Sequence, residues 1–196
     1  MLWPPAAVTA DVAAVRAPAP VTQPALPAPA SAVRVPPAGP GVTADATGFV
    51  PSRLVVEAVG IDAPLLATSV DHALALVPPE DPAELGWWRG VRPGAGAGSV
   101  LVAGHLDSRR LGRGPLAALV DLAPGDVATV TAADGTTASY VLRGVEVFDK
   151  DALPAGELFG YAGPERLVLV TCGGRFDRSA GGWDSNVVAV LDPVPA

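Results

Sequence analysis

Few side chains in this sequence can do covalent chemistry, and the two best placed follow the same kind of segment. Cys172, the single cysteine, comes directly after the apolar run Leu167-Val168-Leu169-Val170-Thr171 and directly before Gly173-Gly174. A strand end is a rigid mount, and two glycines leave room for a substrate backbone to approach closely. Thiolate is the nucleophilic form of a cysteine. A free thiol is only a few per cent ionised at neutral pH, so a cysteine in that role needs a partner. His105, in Val102-Ala103-Gly104-His105-Leu106-Asp107-Ser108, likewise ends an apolar strand pattern. An imidazole is suited to exchange protons with a thiol and with an amine leaving group. Each residue also has a plainer reading. A lone cysteine is most often a small buried hydrophobe, and a lone histidine a surface or turn residue. The pair favours chemistry, because a barrel brings strand ends together across a long sequence gap. His72, within Ser69-Val70-Asp71-His72-Ala73, follows no strand and reads as a surface residue.

The elements that must hold these residues occupy only part of the chain. Of 22 prolines, ten fall between Met1 and Pro40, in runs such as Ala17-Pro18-Ala19-Pro20. Asp11, Arg16, Arg34 and Asp45 are the only charges in residues 1–48. Proline fixes φ and donates no hydrogen bond, so residues 1–48 read as an extended or disordered spacer. From Phe49 the text changes to short apolar strands separated by glycine and proline. Strands are expected at Arg53–Val59, Ser99–Ala103, Asp126–Thr131, Thr137–Leu142, Val145–Phe148, Leu167–Thr171 and Val187–Leu191. Ala133-Asp134-Gly135 is a hairpin signal between two of them. Helical pattern is confined to Pro115–Leu122 and Asp151–Leu158. Many short strands with one or two short helices predict an all-β domain over residues 49–196, closed or sandwiched.

Composition excludes several classes of function. The 196 residues carry a formal charge of −7, with 49% hydrophobic and 17% charged residues. That suits one domain with a real core and does not suit tracking a phosphate backbone, so no nucleic-acid partner is expected. One cysteine excludes an intramolecular disulfide framework and a cysteine-rich zinc site. The acids show no calcium-ligand spacing, and no metal or other cofactor is expected. No run approaches the ~20 apolar residues of a membrane span.

The two motifs together resemble a sortase, most closely the actinobacterial class F group. Gly86-Trp87-Trp88, the Pro93-Gly94-Ala95-Gly96 turn, Pro124-Gly125-Asp126 and Phe176-Asp177 agree with that resemblance, which covers residues 50–193. It implies a closed β-barrel of about eight strands and a cysteine transpeptidase. Such enzymes cleave a sorting signal of the Leu-Pro-x-Thr-Gly type between threonine and glycine, and pass the acyl thioester to an amine of a cell-wall precursor. By resemblance, Cys172 is the acyl-forming nucleophile and His105 the general acid/base. The family's third member is an arginine just before an Asn-Val-Val pattern in the last strand. Here Asn186-Val187-Val188 is preceded by Trp183-Asp184-Ser185. A carboxylate repels an oxyanion rather than donating to it. The nearest cations are Arg178, expected first as the substitute because glycines follow it, and Arg175, expected second. Each reads equally as a solvated loop charge, or, for Arg178, as a partner of Asp177.

The resemblance places the domain outside the cell, at its surface, with a proline-rich stalk and a membrane anchor that this chain does not contain. The expected partners are sorting-signal peptides and the amine of a peptidoglycan precursor; Lys150, the single lysine, makes the protein a poor acceptor for its own chemistry. Three other readings compete with this one. A cysteine peptidase would use water as acceptor. An L,D-type transpeptidase has histidine-glycine before its cysteine, where Thr171 stands here, and is set aside. A sortase-like barrel without its arginine could bind a peptide or wall fragment without turnover, and Asp184 keeps that reading open.

Overall fold

The structure, a computed structural model, describes residues 47–70, 76–158, 160–179 and 181–195. His72 and the spacer up to residue 46 lie outside the described residues. Ten strands follow in chain order: β1 (Pro51–Val56), β2 (Ile61–Thr68), β3 (Leu85–Trp88), β4 (Ser99–Ala103), β5 (Asp107–Ser108), β6 (Gly112–Arg113), β7 (Val127–Ala132), β8 (Thr137–Asp149), β9 (Arg166–Asp177) and β10 (Gly182–Pro193). Eight of them close a barrel in the order β1-β2-β3-β4-β9-β10-β8-β7, with β7 pairing back onto β1, while β5 and β6 form a separate small ribbon. The pairs β2–β3 and β4–β9 are parallel and the others antiparallel. The all-β barrel of about eight strands expected from the sequence is the fold observed.

Period-two alternation divides the side chains between two apolar layers. The barrel interior takes Leu54, Val56, Ile61, Leu65, Val100, Val102, Leu167, Leu169, Val187, Ala189 and Leu191. On the outer face of β4, β9 and β10 a second cluster gathers Leu101, Ala103, Val168, Val170 and Val188. It is covered by Leu153, Ala155, Leu158 and Tyr161 from the segment between β8 and β9. β4 and β9 are therefore buried on both faces, which is why their sequences are apolar without alternation. The covering segment holds a 3₁₀ turn (Lys150–Ala152) and α1 (Ala155–Leu158). The helical pattern at Pro115–Leu122 is a 3₁₀ helix over Pro115–Asp121, opened by Pro115 and burying Leu116, Ala117 and Leu119.

Three local expectations are corrected. The segments Thr137–Leu142 and Val145–Phe148 are one strand, β8, whose register slips opposite Val190–Leu191, where Gly144 sits. β2 was not anticipated, although its burial alternates: Ile61, Ala63 and Leu65 face inward and Asp62, Pro64 and Leu66 outward. Proline argues against an interior strand, but Pro64 precedes the first β3 partner, Leu65, so its missing N–H breaks no bond of that ladder. Finally, β9 does not stop at Thr171; it runs through Cys172 to Asp177.

Glu165, the residue before β9, is buried, with 6% of its surface exposed. Its carboxylate accepts hydrogen bonds from the backbone N–H of Gly94 (2.9 Å) and of Gly96 (2.5 Å), and from the Tyr140 hydroxyl (2.6 Å). Burial, reinforced by that carboxylate, pushes the Tyr140 phenol well above its ordinary range. This cluster ties the glycine-rich turn before β4 to β8 and the start of β9.

Candidate active site

The parallel β4–β9 ladder sets the relation between the two reactive residues. Leu101 pairs with Val168 and Ala103 with Val170, all four in the outer cluster. Beyond Ala103 the ladder is continued by two bonds: the Gly104 N–H donates to the Val170 carbonyl (3.2 Å), and the Thr171 hydroxyl donates to the Gly104 carbonyl (2.9 Å). The next residue after Gly104 is His105, two residues past the end of β4, and the next after Thr171 is Cys172, within β9. Both residues are half-buried. Gly114 closes the other side of the histidine loop, since a Cβ there would run into the His105 carbonyl oxygen.

Thr171 makes this registration testable. Thr171→Val keeps the side-chain shape and leaves the buried Gly104 carbonyl without its donor. We expect a stability loss of about 1–2 kcal/mol by thermal melting. Loosening the histidine loop should also slow any Cys172-dependent turnover about tenfold, since misplacement of about 1 Å can cost far more. Unchanged turnover would show that the Thr171 bond does not set the His105 position.

The row continues across β10. Asn186 pairs with Cys172 on one side and with Phe148 of β8 on the other. Asn186 is 2% exposed, and its Oδ1 accepts from Lys150 Nζ at 3.3 Å. The same ammonium lies 3.6 Å from Cys172 Sγ, within hydrogen-bonding range of a sulfur. Cys172 of β9 and Asn186 of β10 are thus paired, with Lys150 just past the end of β8 on one side and His105 just past the end of β4 on the other.

The Gly173-Gly174 pair serves packing rather than substrate approach. A Cβ on Gly173 would collide with Val187 Cγ2 inside the barrel. Gly174 has φ +79° and, with Arg175, faces the single residue Asp184 across the β9–β10 ladder, as in a bulge that requires left-handed backbone. Asp184 completes the bulge. Its carboxylate accepts from the Arg175 N–H (2.9 Å) and the Ser185 hydroxyl (2.8 Å), and these bonds hold it below the usual carboxylate range.

The two expected arginines are placed elsewhere. Arg178 is exposed in the turn joining β9 and β10, six residues beyond Cys172. Along a paired strand that is on the order of 15–20 Å, more than a guanidinium side chain spans. Arg175 is exposed at the bulge. Among the described residues, the cation brought to the sulfur is Lys150. Sequence reading passed over it because nothing local to Phe148-Asp149-Lys150 shows that β8 lies one strand from β9.

Beyond the row, an aromatic bracket joins the histidine loop to the β9–β10 hairpin. Trp183 Nε1 donates to Asp107 Oδ1 (3.1 Å), and Phe176 packs edge-on against Trp183 at 5.5 Å between centroids. The Arg109 guanidinium lies 5.9 Å from the centre of the Phe176 ring. Among the described residues no group of three or more His, Cys, Asp or Glu is arranged to hold a metal ion. No helix among them is long and apolar enough to cross a membrane.

The sortase domain family matches residues 54–194. The chain belongs to the sortase family. Solved structures agree on the fold. Sortase C-1 of Actinomyces oris superposes with a TM-score of 0.56 at 18% identity, over 74% of this chain and 72% of that one. Sortase C1 of Streptococcus agalactiae gives 0.56 at 15%, over 74% and 67%. Sortase C2 of pilus island 1 in Group B Streptococcus gives 0.53 at 18%, over 74% and 73%. At such identities the likeness is one of fold. No curated protein matches this sortase by sequence.

Proposed function

We propose that this sortase is a cysteine transpeptidase that cleaves a sorting signal of the Leu-Pro-x-Thr-Gly type and transfers it to an amine of a cell-wall precursor. The observation that supports the proposal is the parallel β4–β9 ladder, carried on by the Thr171–Gly104 bond, whose two chains continue directly into His105 and Cys172. Cys172, its thiol proton passed to His105, attacks the threonine carbonyl carbon through Sγ. A carbon–sulfur bond forms, and the carbonyl electron pair moves to oxygen. When that pair returns, the carbon–nitrogen bond breaks and the departing amine takes a proton from His105. The acceptor amine then attacks the thioester and gives a proton to His105; a carbon–nitrogen bond forms, the carbon–sulfur bond breaks, and Cys172 leaves as the thiolate. The short motifs around Cys172 and His105 support assignment to the class F group, and the class C structures share only the fold at 14–18% identity. The reading carries with it a cell-surface site of action and residues 1–48 as a spacer from an anchor.

The test is incubation of the purified chain with Leu-Pro-x-Thr-Gly peptides, with and without an added amine, followed by mass spectrometry. A Cys172 thioester and an amine-dependent amide product are the expected results. Acid product at the same rate with and without amine would make the protein a peptidase. Failure to form any Cys172 adduct would leave a peptide-binding barrel.

A further inference from the structure

We infer that Lys150 is the active-site cation of this sortase, standing in for the missing arginine by donating first to the Cys172 sulfur and then to the oxyanion of the tetrahedral intermediate. The inference rests on the transpeptidase reading above and extends it to a residue outside the family's motif.

Three observations converge on it. First, the reaction moves one negative charge from sulfur to the acyl oxygen, atoms separated by a single newly bonded carbon, and a fixed donor near both is worth several kcal/mol. The Lys150 ammonium is already 3.6 Å from Sγ. Second, the position before Asn186 where a guanidinium would serve is occupied by Asp184 and Ser185, both engaged at the bulge. Third, the ammonium is also held by Asn186, whose buried Oδ1 accepts from it at 3.3 Å beside Cys172 in the ladder. Asn186 thereby holds Nζ beside the sulfur.

The placement is a consequence of strand order. Lys150 follows the last residue of β8, and β8 is separated from β9 only by β10. Its long stem crosses the width of one strand, passing Asn186, to reach the sulfur. A lysine has three rotatable donors on a flexible stem, so one ammonium can follow the charge from sulfur to oxygen by turning at Cε. It keeps all its protons through acylation. The proton delivered to the leaving amine comes from His105, on the opposite side of Cys172.

Lys150→Met preserves the length of the stem and removes the charge, and Lys150→Arg restores a cation. We expect thioester formation with the sorting peptide to fall about 10²–10³-fold in Lys150→Met and to recover at least tenfold in Lys150→Arg, with both variants melting near the parent temperature. A second measurement is independent of any peptide: alkylation of Cys172 by iodoacetamide at fixed neutral pH. Removing the donor at Sγ should slow it about tenfold in Lys150→Met, with recovery in Lys150→Arg. If the parent acylates and Lys150→Met acylates within twofold of it, the assignment of Lys150 is overturned. If the parent forms no thioester, the transpeptidase reading fails, and equal alkylation rates in parent and Lys150→Met then overturn the lysine contact as well.

Discussion

Cys172→Ala is expected to abolish thioester formation and every peptide product while leaving the barrel folded. Removing the nucleophile of a thiol- or hydroxyl-based acyl-transfer site costs on the order of 10⁶ in rate, and neighbouring groups recover little of it. The fold should tolerate the change. The thiol is half-buried on the outer face at the end of the apolar strip, and alanine fits the same extended backbone. The melting temperature should therefore stay close to the parent's, and the variant should still bind a fluorescent sorting peptide. Residual amide formation at a measurable fraction of the parent rate would place the nucleophile elsewhere and end the transpeptidase reading for this site.

Glu165→Ala is expected to give the largest loss of stability. The carboxylate is the common acceptor for two backbone N–H groups and the buried Tyr140 hydroxyl. Each donor left without a partner costs about 1–3 kcal/mol, so the loss for three donors should be at least about 3 kcal/mol. For a domain of this size, that lowers the melting temperature by on the order of 10 °C. Glu165→Gln, which keeps one carbonyl acceptor, should lose roughly half as much. Alkaline titration reads the same cluster. The Tyr140 phenol ionises at higher pH in the folded protein than in the unfolded chain. Its contribution is thus complete below the unfolded value of about 10 and is lost as pH rises through the folded value. Stability should decline above about pH 10, and Tyr140→Phe should flatten that limb. A Glu165→Ala variant that melts with the parent would show that water replaces the carboxylate without loss.

How much of this could be read from the sequence depended on whether the signal was local. β4 and β9 were legible because strands buried on both faces are apolar at every position, and such runs stand out in a proline- and glycine-rich chain. The Ala133-Asp134-Gly135 turn was legible for a similar reason: Gly135 takes φ +88°, and Asp134 accepts from the Thr136 N–H. β2 was missed because Asp62 and Pro64 mask an alternation that is nonetheless present. Gly173 and Gly174 were conspicuous but misread, since a close approach by Val187 and by Asp184 leaves the same mark in sequence as one by a substrate.

The candidate site divides in the same way. Cys172 and His105 announce themselves by type and by the strands before them. Lys150 and Asn186 carry no comparable mark. Their relevance follows from the order β9-β10-β8 and from the pairing of Asn186 with Cys172, which no local pattern encodes. Arg178 stands apart from the thiol for a related reason. The glycines after it suggested a free loop, whereas β9 and β10 remain paired out to Asp177 and Gly182, carrying the turn away from the thiol.

The four candidate residues sit on, or directly beyond, hydrogen-bonded strands, whereas the cover between β8 and β9 and the β5–β6 ribbon are connecting segments, the ribbon tied to β10 by the Trp183–Asp107 bond. The paired strands and the segments between them are therefore constrained differently. The cover packs on the outer cluster through Leu153, Ala155, Leu158 and Tyr161, and its other described positions are the freer ones to diverge. Substitutions in the ladders have no such freedom, because a slip of one residue in β9 turns the thiol into the barrel interior.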